Sequence, residues 1–200
     1  MLFDHIAIAA PDLATGTGWV EEQLGLSLQP GGQHAHFGTH NALMSLGPAE
    51  YLEVITIDPD APPPAYPRWF DLDRFQGKPR VTNWILRSDD IDQALGQVDP
   101  GAGQPVDLAR GAYRWRMAVP ATGILPFDNM HPALITWDGP HPAAALPDIG
   151  ARLLQLDVSH PDADALRESL PFQDDRVSFV AGPAGLRARI QTPHGTRELG

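Results

Sequence analysis

His5-Ile6-Ala7-Ile8-Ala9-Ala10-Pro11-Asp12-Leu13 runs as a short strand followed by an acidic residue that can cap a helix. Two later stretches repeat the pattern without a gap: Asn83-Trp84-Ile85-Leu86-Arg87-Ser88-Asp89-Asp90-Ile91 and Gln155-Leu156-Asp157-Val158-Ser159-His160-Pro161-Asp162-Ala163. Side chains alternate along a strand, so Ile6 and Ile8 share a face. Their counterparts, Trp84 and Leu86 and then Leu156 and Val158, keep that face apolar. Asp12, Asp90 and Asp162 stand at N-cap positions, where a carboxylate accepts backbone N–H bonds. Apolar residues then recur at helical spacing: Leu13, Val20, Leu24; Ile91, Ala94, Leu95, Val98; Ala163, Leu166, Leu170. Gly16 and Gly18 weaken the first of these helices.

Behind each helix the pattern turns to strands. They are expected at 34–37, 41–46 and 51–57, at 105–108, 113–119 and 133–137, and at 177–181, 186–192 and 196–199. Each unit reads βαβββ, and strand sets with helices on one face make an α+β fold. The expected organisation is a first module over 1–57, a linker over 58–79, a second module over 80–138, a linker over 139–150 and a third βαβββ-like unit over 151–200, in one domain. The first linker starts stiff, with five prolines between Asp58 and Arg68, and continues as the aromatic run Trp69-Phe70-Asp71-Leu72. That run either packs on the surface or lids a pocket.

Composition narrows the function. Twenty-five acidic residues against 14 basic ones give a net charge of −11, which disfavours a nucleic-acid partner. A single lysine, Lys78, leaves no polybasic membrane patch, and no apolar run spans a bilayer. The absence of cysteine removes disulfides and thiolate metal sites together. The opening MLFDHIAIAAPD carries no cationic leader, and the expected location is the cytoplasm. There is no P-loop and no nucleophile elbow.

His5 and Glu53 carry the candidate chemistry. With Ile6 and Ile8 facing the helix, His5 points the other way beside Phe3, Ala7 and Ala9, whose alanines leave room for a pocket. A core histidine bonded to a carbonyl is the plainer alternative. Glu53 is a lone carboxylate in the apolar strand 51–57, costly to bury unless it is paired or holds a metal. An exposed edge, or a pair with Arg114 or Arg116, would also account for it. A histidine and a glutamate on two strands of one sheet suit Zn²⁺, Fe²⁺, Mn²⁺ or Ni²⁺, although two ligands alone do not hold a catalytic metal.

Asp4 to Leu13, Leu24-Gly25 and Tyr51-Leu52-Glu53 resemble the vicinal oxygen chelate superfamily. Gly31-Gly32-Gln33-His34, Gly38-Thr39-His40-Asn41-Ala42-Leu43 and Leu46-Gly47 resemble its glyoxalase-like branch. The resemblance implies βαβββ modules whose mixed sheets curl around a cavity. It implies a divalent metal (Zn, Fe, Mn or Ni) on His5 and Glu53, with Gln155 as a further ligand, since Asn83 and Thr136 depart from the pattern. Glu53 would double as the catalytic base, and His34 and His40 would line the pocket. The activity implied is a lyase, isomerase or dioxygenase step on a small organic molecule. The rival is a metal-free drug-binding protein of the bleomycin-resistance type, with Trp84, Trp115 and Trp137 as stacking walls. The chain would act as a monomer or a homodimer.

Overall fold

Alternation of apolar residues on both faces buries β1 (Leu2–Ala9) at the centre of an eight-stranded sheet. The computed structural model describes residues 1–200. The first unit continues with α1 (Leu13–Leu24), β2 (Gln29–His34), β3 (Thr39–Gly47) and β4 (Glu50–Ile57). The second contains β5 (Arg80–Arg87), α2 (Ile91–Leu95), β6 (Gln104–Arg110), β7 (Tyr113–Val119) and β8 (Ala133–Asp138). Strand order across the sheet is β2-β3-β4-β1-β5-β8-β7-β6. In each unit the first and last strands pair in parallel, β1 with β4 and β5 with β8, and the units join along an antiparallel β1–β5 seam. The two edge strands, β2 and β6, come into contact, so the sheet curls nearly shut around its concave face.

The remaining strands form a second sheet. It contains β9 (Arg152–His160), β10 (Val177–Ala181), β11 (Gly185–Thr192) and β12 (Gly195–Leu199), with α3 (Ala163–Glu168) after β9. The element order repeats the first two units but the strand order, β10-β9-β11-β12, does not. Here the strand following the helix, not the last strand, pairs in parallel with the first. This small sheet packs on the convex face over β5, with α1 near β3 and β4 and α2 near β7 and β8. Leu153, Leu156, Val158 and Ile190 therefore share one core with Ile6, Ile8, Trp84 and Leu86. Arg176 ties the units together, donating to Glu50 at 2.7 and 2.8 Å.

Several local expectations are corrected. Residues 35–38 form a turn, and the edge strand is Gln29–His34 instead. Pro30 hides it in the sequence, but an edge strand tolerates a missing N–H, and a bulge between Pro30 and Gln33 absorbs the irregularity. Asp12 and Asp90 cap their helices by accepting from Thr15 N and Gln93 N. Asp162 makes no such bond; its own N–H donates to His160 Nδ1. Both α2 and α3 are short, ending before Val98 and Leu170.

The two glycines of α1 behave differently. A Cβ on Gly16 would come within 2.6 Å of Val54 Cγ1 and 2.7 Å of Ala10 Cβ, so the helix lies directly on β4 because that residue has no side chain. A Cβ on Gly18 meets nothing within 4 Å. Gly16→Ala should therefore destabilise the protein by about 1–3 kcal/mol through overpacking. Gly18→Ala should stabilise it by up to about 1 kcal/mol through helix propensity. Urea denaturation of the two variants measures both signs.

Candidate functional site

The concave face holds a chain of polar side chains that begins in an irregularity of β1. Pairing with β5 runs Phe3↔Leu86 and then His5↔Ile85, so Asp4 is the extra residue of a bulge. This sends Phe3 to the helix side, into the core with Ile6 and Ile8, instead of beside His5 as alternation alone predicts. It also lets Asp4 and His5, neighbours in sequence, bond to each other: His5 Nδ1 lies 2.6 Å from Asp4 Oδ1. Asp4, fully buried, also accepts from His141 Nε2 at 2.9 Å and Trp137 Nε1 at 3.2 Å.

On its other side His5 Nε2 faces Glu53 Oε2 at 3.6 Å, and the Tyr51 ring stacks on the imidazole with centroids 4.2 Å apart. Asn41 Nδ2 donates to Glu53 Oε1 at 2.5 Å. Across the curled sheet, Arg110 at the end of β6 reaches the opposite edge. Its Nη1 donates to Asn41 Oδ1 at 2.9 Å and to His34 Nε2 at 3.1 Å. For the latter the imidazole proton sits on Nδ1, facing Thr39 Oγ1 at 3.0 Å. Gly31 and Gly32 make these approaches feasible. A Cβ on the first would overlap Asn41 Oδ1, and one on the second would lie 2.7 Å from Arg110 Cδ.

Burial and charge pull these groups apart. Burial opposes charge on His5, but its bonds to Asp4 and Glu53 outweigh that and raise its pKa. Burial also works against ionised Glu53, yet the bond and charge of His5, with smaller help from His34 and Asn41, bring it down to about 2. Asp4 is lowered too, its bonds from His141 and His5 overcoming burial. His34 falls to about 4, chiefly by burial and further by the charge of Arg110. The contacts therefore favour the charged forms of Asp4, His5 and Glu53 and the neutral form of His34, beside the Arg110 guanidinium.

Apolar side chains enclose the rest: Leu43, Met117, Ile135, Trp115, Trp137 and, from the linker, Trp69 and Phe70. The linker residues join the cluster containing Ala7, Ala9 and Ile55, filling the room that the small β1 side chains leave. The free space that remains is a cavity of about 20 Å³, enough for roughly one water. Phe70 and Asp71 hold this segment in place with left-handed φ of 58° and 55°, and Asp71 N–H donates to Gly123 O at 2.9 Å.

Of the residues singled out in the sequence, His5, Glu53, His34, Trp115 and Trp137 line this cavity. Three others do not. Trp84 is fully buried in the core on the convex side, its Nε1 donating to Met130 O. His40 sits one residue off the cavity face and lines a groove between α1 and β2. Gln155 belongs to the second sheet, where Nε2 donates to Ser178 and Asp157, because that unit packs on the convex face and sends nothing into the cavity. Glu53 pairs with neither Arg114 nor Arg116; the latter binds exposed Asp92. Asp4, Asn41, Tyr51, Arg110 and His141 complete the network. Asp4, Asn41 and Tyr51 stand inside the family-like motifs, whereas nothing local in the sequence marks Arg110 or His141.

The donor set does not fit a resident divalent metal. His5 and Glu53 face each other, but no group of three or more His, Asp or Glu side chains is arranged to hold an ion. Asn83, at the position in β5 that matches His5, lies outside the cavity wall, and Thr136 donates its hydroxyl to Ser88 O. The cation on the far side of Glu53 is Arg110, bound through Asn41.

The glyoxalase-like domain model matches residues 3–172. No curated protein matches the chain. Among solved structures, a hypothetical protein from Staphylococcus aureus superposes with a TM-score of 0.60 at 12% identity, covering 92% of this chain and 87% of that one. Methylmalonyl-CoA epimerase from Mycobacterium tuberculosis gives 0.46 at 18% identity, covering 72% and 91%. The Streptomyces coelicolor enzyme in complex with 2-nitronate-propionyl-CoA gives 0.46 at 16% identity, covering 70% and 99%. No helix is long and apolar enough to cross a membrane. With the family model covering most of its length, the chain belongs to the glyoxalase-like domain family of the vicinal oxygen chelate superfamily.

Proposed function

We propose that the concave face binds a small organic molecule and that His5 and Glu53 move protons on it without a metal. The observation that carries this reading is the buried relay Asp4–His5–Glu53, with bonds and contacts of 2.6 and 3.6 Å, opening onto an aromatic cavity. Asp4 orients the imidazole and holds it protonated, so His5 Nε2–H can pass its proton to a developing oxyanion. Glu53 accepts a proton from the carbon next to that oxygen. The two roles are linked: the His5 bond and charge are what hold Glu53 down, so once His5 has given up its proton Glu53 becomes the stronger base. A carbonyl compound would leave as its enol, the step shared by isomerases and many lyases.

The metal-dependent lyase and dioxygenase activities that the sequence suggests need donors this cavity does not supply. Metal-free binding of a drug-like molecule would use the same walls, Trp115 and Trp137, but leaves the relay without a task.

Hydrogen–deuterium exchange at the carbon next to the carbonyl tests the proposal. Small ketones and 2-oxo acids are incubated with the protein in D₂O and followed by NMR. At least one should exchange faster with the wild type, and Glu53→Gln should slow that exchange by about 10²-fold or more. No accelerated exchange across the panel, while the same compounds raise the melting temperature of wild type and Glu53→Gln alike, would leave a binding protein only.

The pair also predicts a pH window. Glu53 is lowered from 4.5 to about 2, so its contribution is present above pH 4.5 and is lost as pH falls toward 2. His5 is raised above 6.5, so its contribution is complete below that value and is lost as pH rises through the folded-state pKa. The stability gap between wild type and His5→Ala should thus be widest between pH 4.5 and 6.5, at about 3 kcal/mol. Urea titrations across pH 3–9 read it directly.

A further inference from the structure

Arg110 is a cation lining the cavity with no carboxylate at ion-pair distance; its partners are the neutral side chains of His34 and Asn41. A guanidinium presents five N–H donors in a rigid fork. Both hydrogens on Nη1 are committed, one to His34 Nε2 at 3.1 Å and one to Asn41 Oδ1 at 2.9 Å. The Nε–Nη2 edge, which matches a carboxylate in bidentate geometry, has no acceptor in the chain.

The guanidinium is also fixed. Its stem runs against Gly32, where any side chain would collide with it, and its head lies 5.7 Å from the centroid of the Tyr113 ring. Asn41, the acceptor that aims it, is itself seated by Gly31 and Gly32, receiving Gly32 N–H at 2.8 Å. A fixed charge whose open edge lacks an acceptor, in a chain of net charge −11, sits beside tryptophan walls.

We propose that Arg110 is the anion anchor of this cavity and that the ligand is a small aromatic or branched-chain carboxylate. Its carboxylate pairs with the Nε–Nη2 edge, and its apolar body lies on Trp115 and Trp137 in place of the Trp69–Phe70 segment. The guanidinium serves here as the positive partner of ligand oxygens. The inference rests on the concave face being a small-molecule site and adds the class of molecule.

Titration calorimetry with benzoate and its neutral counterpart benzamide, at low salt, tests it on the intact protein. Wild type should bind benzoate about tenfold more tightly than benzamide. Arg110→Gln should erase that preference by weakening benzoate far more than benzamide. Arg110→Lys keeps the charge but lacks the fork, so it should also lose most of the preference; a Lys variant that binds benzoate as well as wild type overturns the bidentate assignment. Equal binding of the two probes by wild type, or an unchanged preference in Arg110→Gln with native circular dichroism, overturns the anchor and leaves the cavity standing. Binding of neither probe by wild type overturns both. Stoichiometric uptake of Zn²⁺ alone, lost in His5→Ala, would show instead that a metal is the positive partner.

Discussion

Neighbouring residues on a strand point to opposite faces, and the chemistry of this protein depends on one place where they do not. The bulge at Asp4 shifts the pairing of β1 with β5 by a single residue, placing a carboxylate and an imidazole together at the centre of the sheet. Without it Asp4 would face the convex core among Ile6, Trp84 and Leu86, where an unpaired carboxylate would cost several kcal/mol (roughly the buried-charge penalty). The same shift moves Phe3 into that core, so one inserted residue serves both faces.

From that point the polar groups form a chain across the whole curl of the sheet. His141 and Trp137 bond to Asp4, Asp4 to His5, His5 faces Glu53, Asn41 bonds Glu53, and Arg110 bonds Asn41 and His34. Acidic and basic groups alternate along it: carboxyl, imidazole, carboxyl, guanidinium. Asp4, His5 and Glu53 each sit beside a group of opposite tendency, which is what buried ionisable groups need to persist as ions, whereas Arg110 meets only the neutral His34 and Asn41. Both βαβββ units contribute, the first supplying Asp4, His5, Asn41 and Glu53 and the second Arg110 and Trp137.

The parts of this arrangement visible in the sequence are those fixed by local pattern. The three strand–aspartate–helix stretches mark β1, β5 and β9 because apolar alternation and capping are local properties. His5 and Glu53 stand out as polar residues on otherwise apolar strands. Alternation puts Trp84 with Leu86 on the helix side, which is where it lies, and the same pattern keeps it off the pocket wall. Gln155 misleads for another reason: a repeated element order does not fix strand order, and the third unit folds its strands differently and docks on the other face. Arg110 and His141 reach the site through contacts 69 and 137 residues away in sequence. The bulge, which depends on pairing with β5, leaves no mark in β1 alone.

The segment closing the cavity has a kinetic meaning. With room for roughly one water, no organic ligand enters until Trp69 and Phe70 swing away from the cluster they share with Ala7 and Ala9. Phe70 and Asp71 hold left-handed backbone conformations that cost on the order of 1–3 kcal/mol each, so displacement releases strain as it exposes aromatic surface. Association of the proposed ligand would then proceed through a form with the segment moved aside, and its observed rate would level off at high ligand concentration instead of climbing linearly.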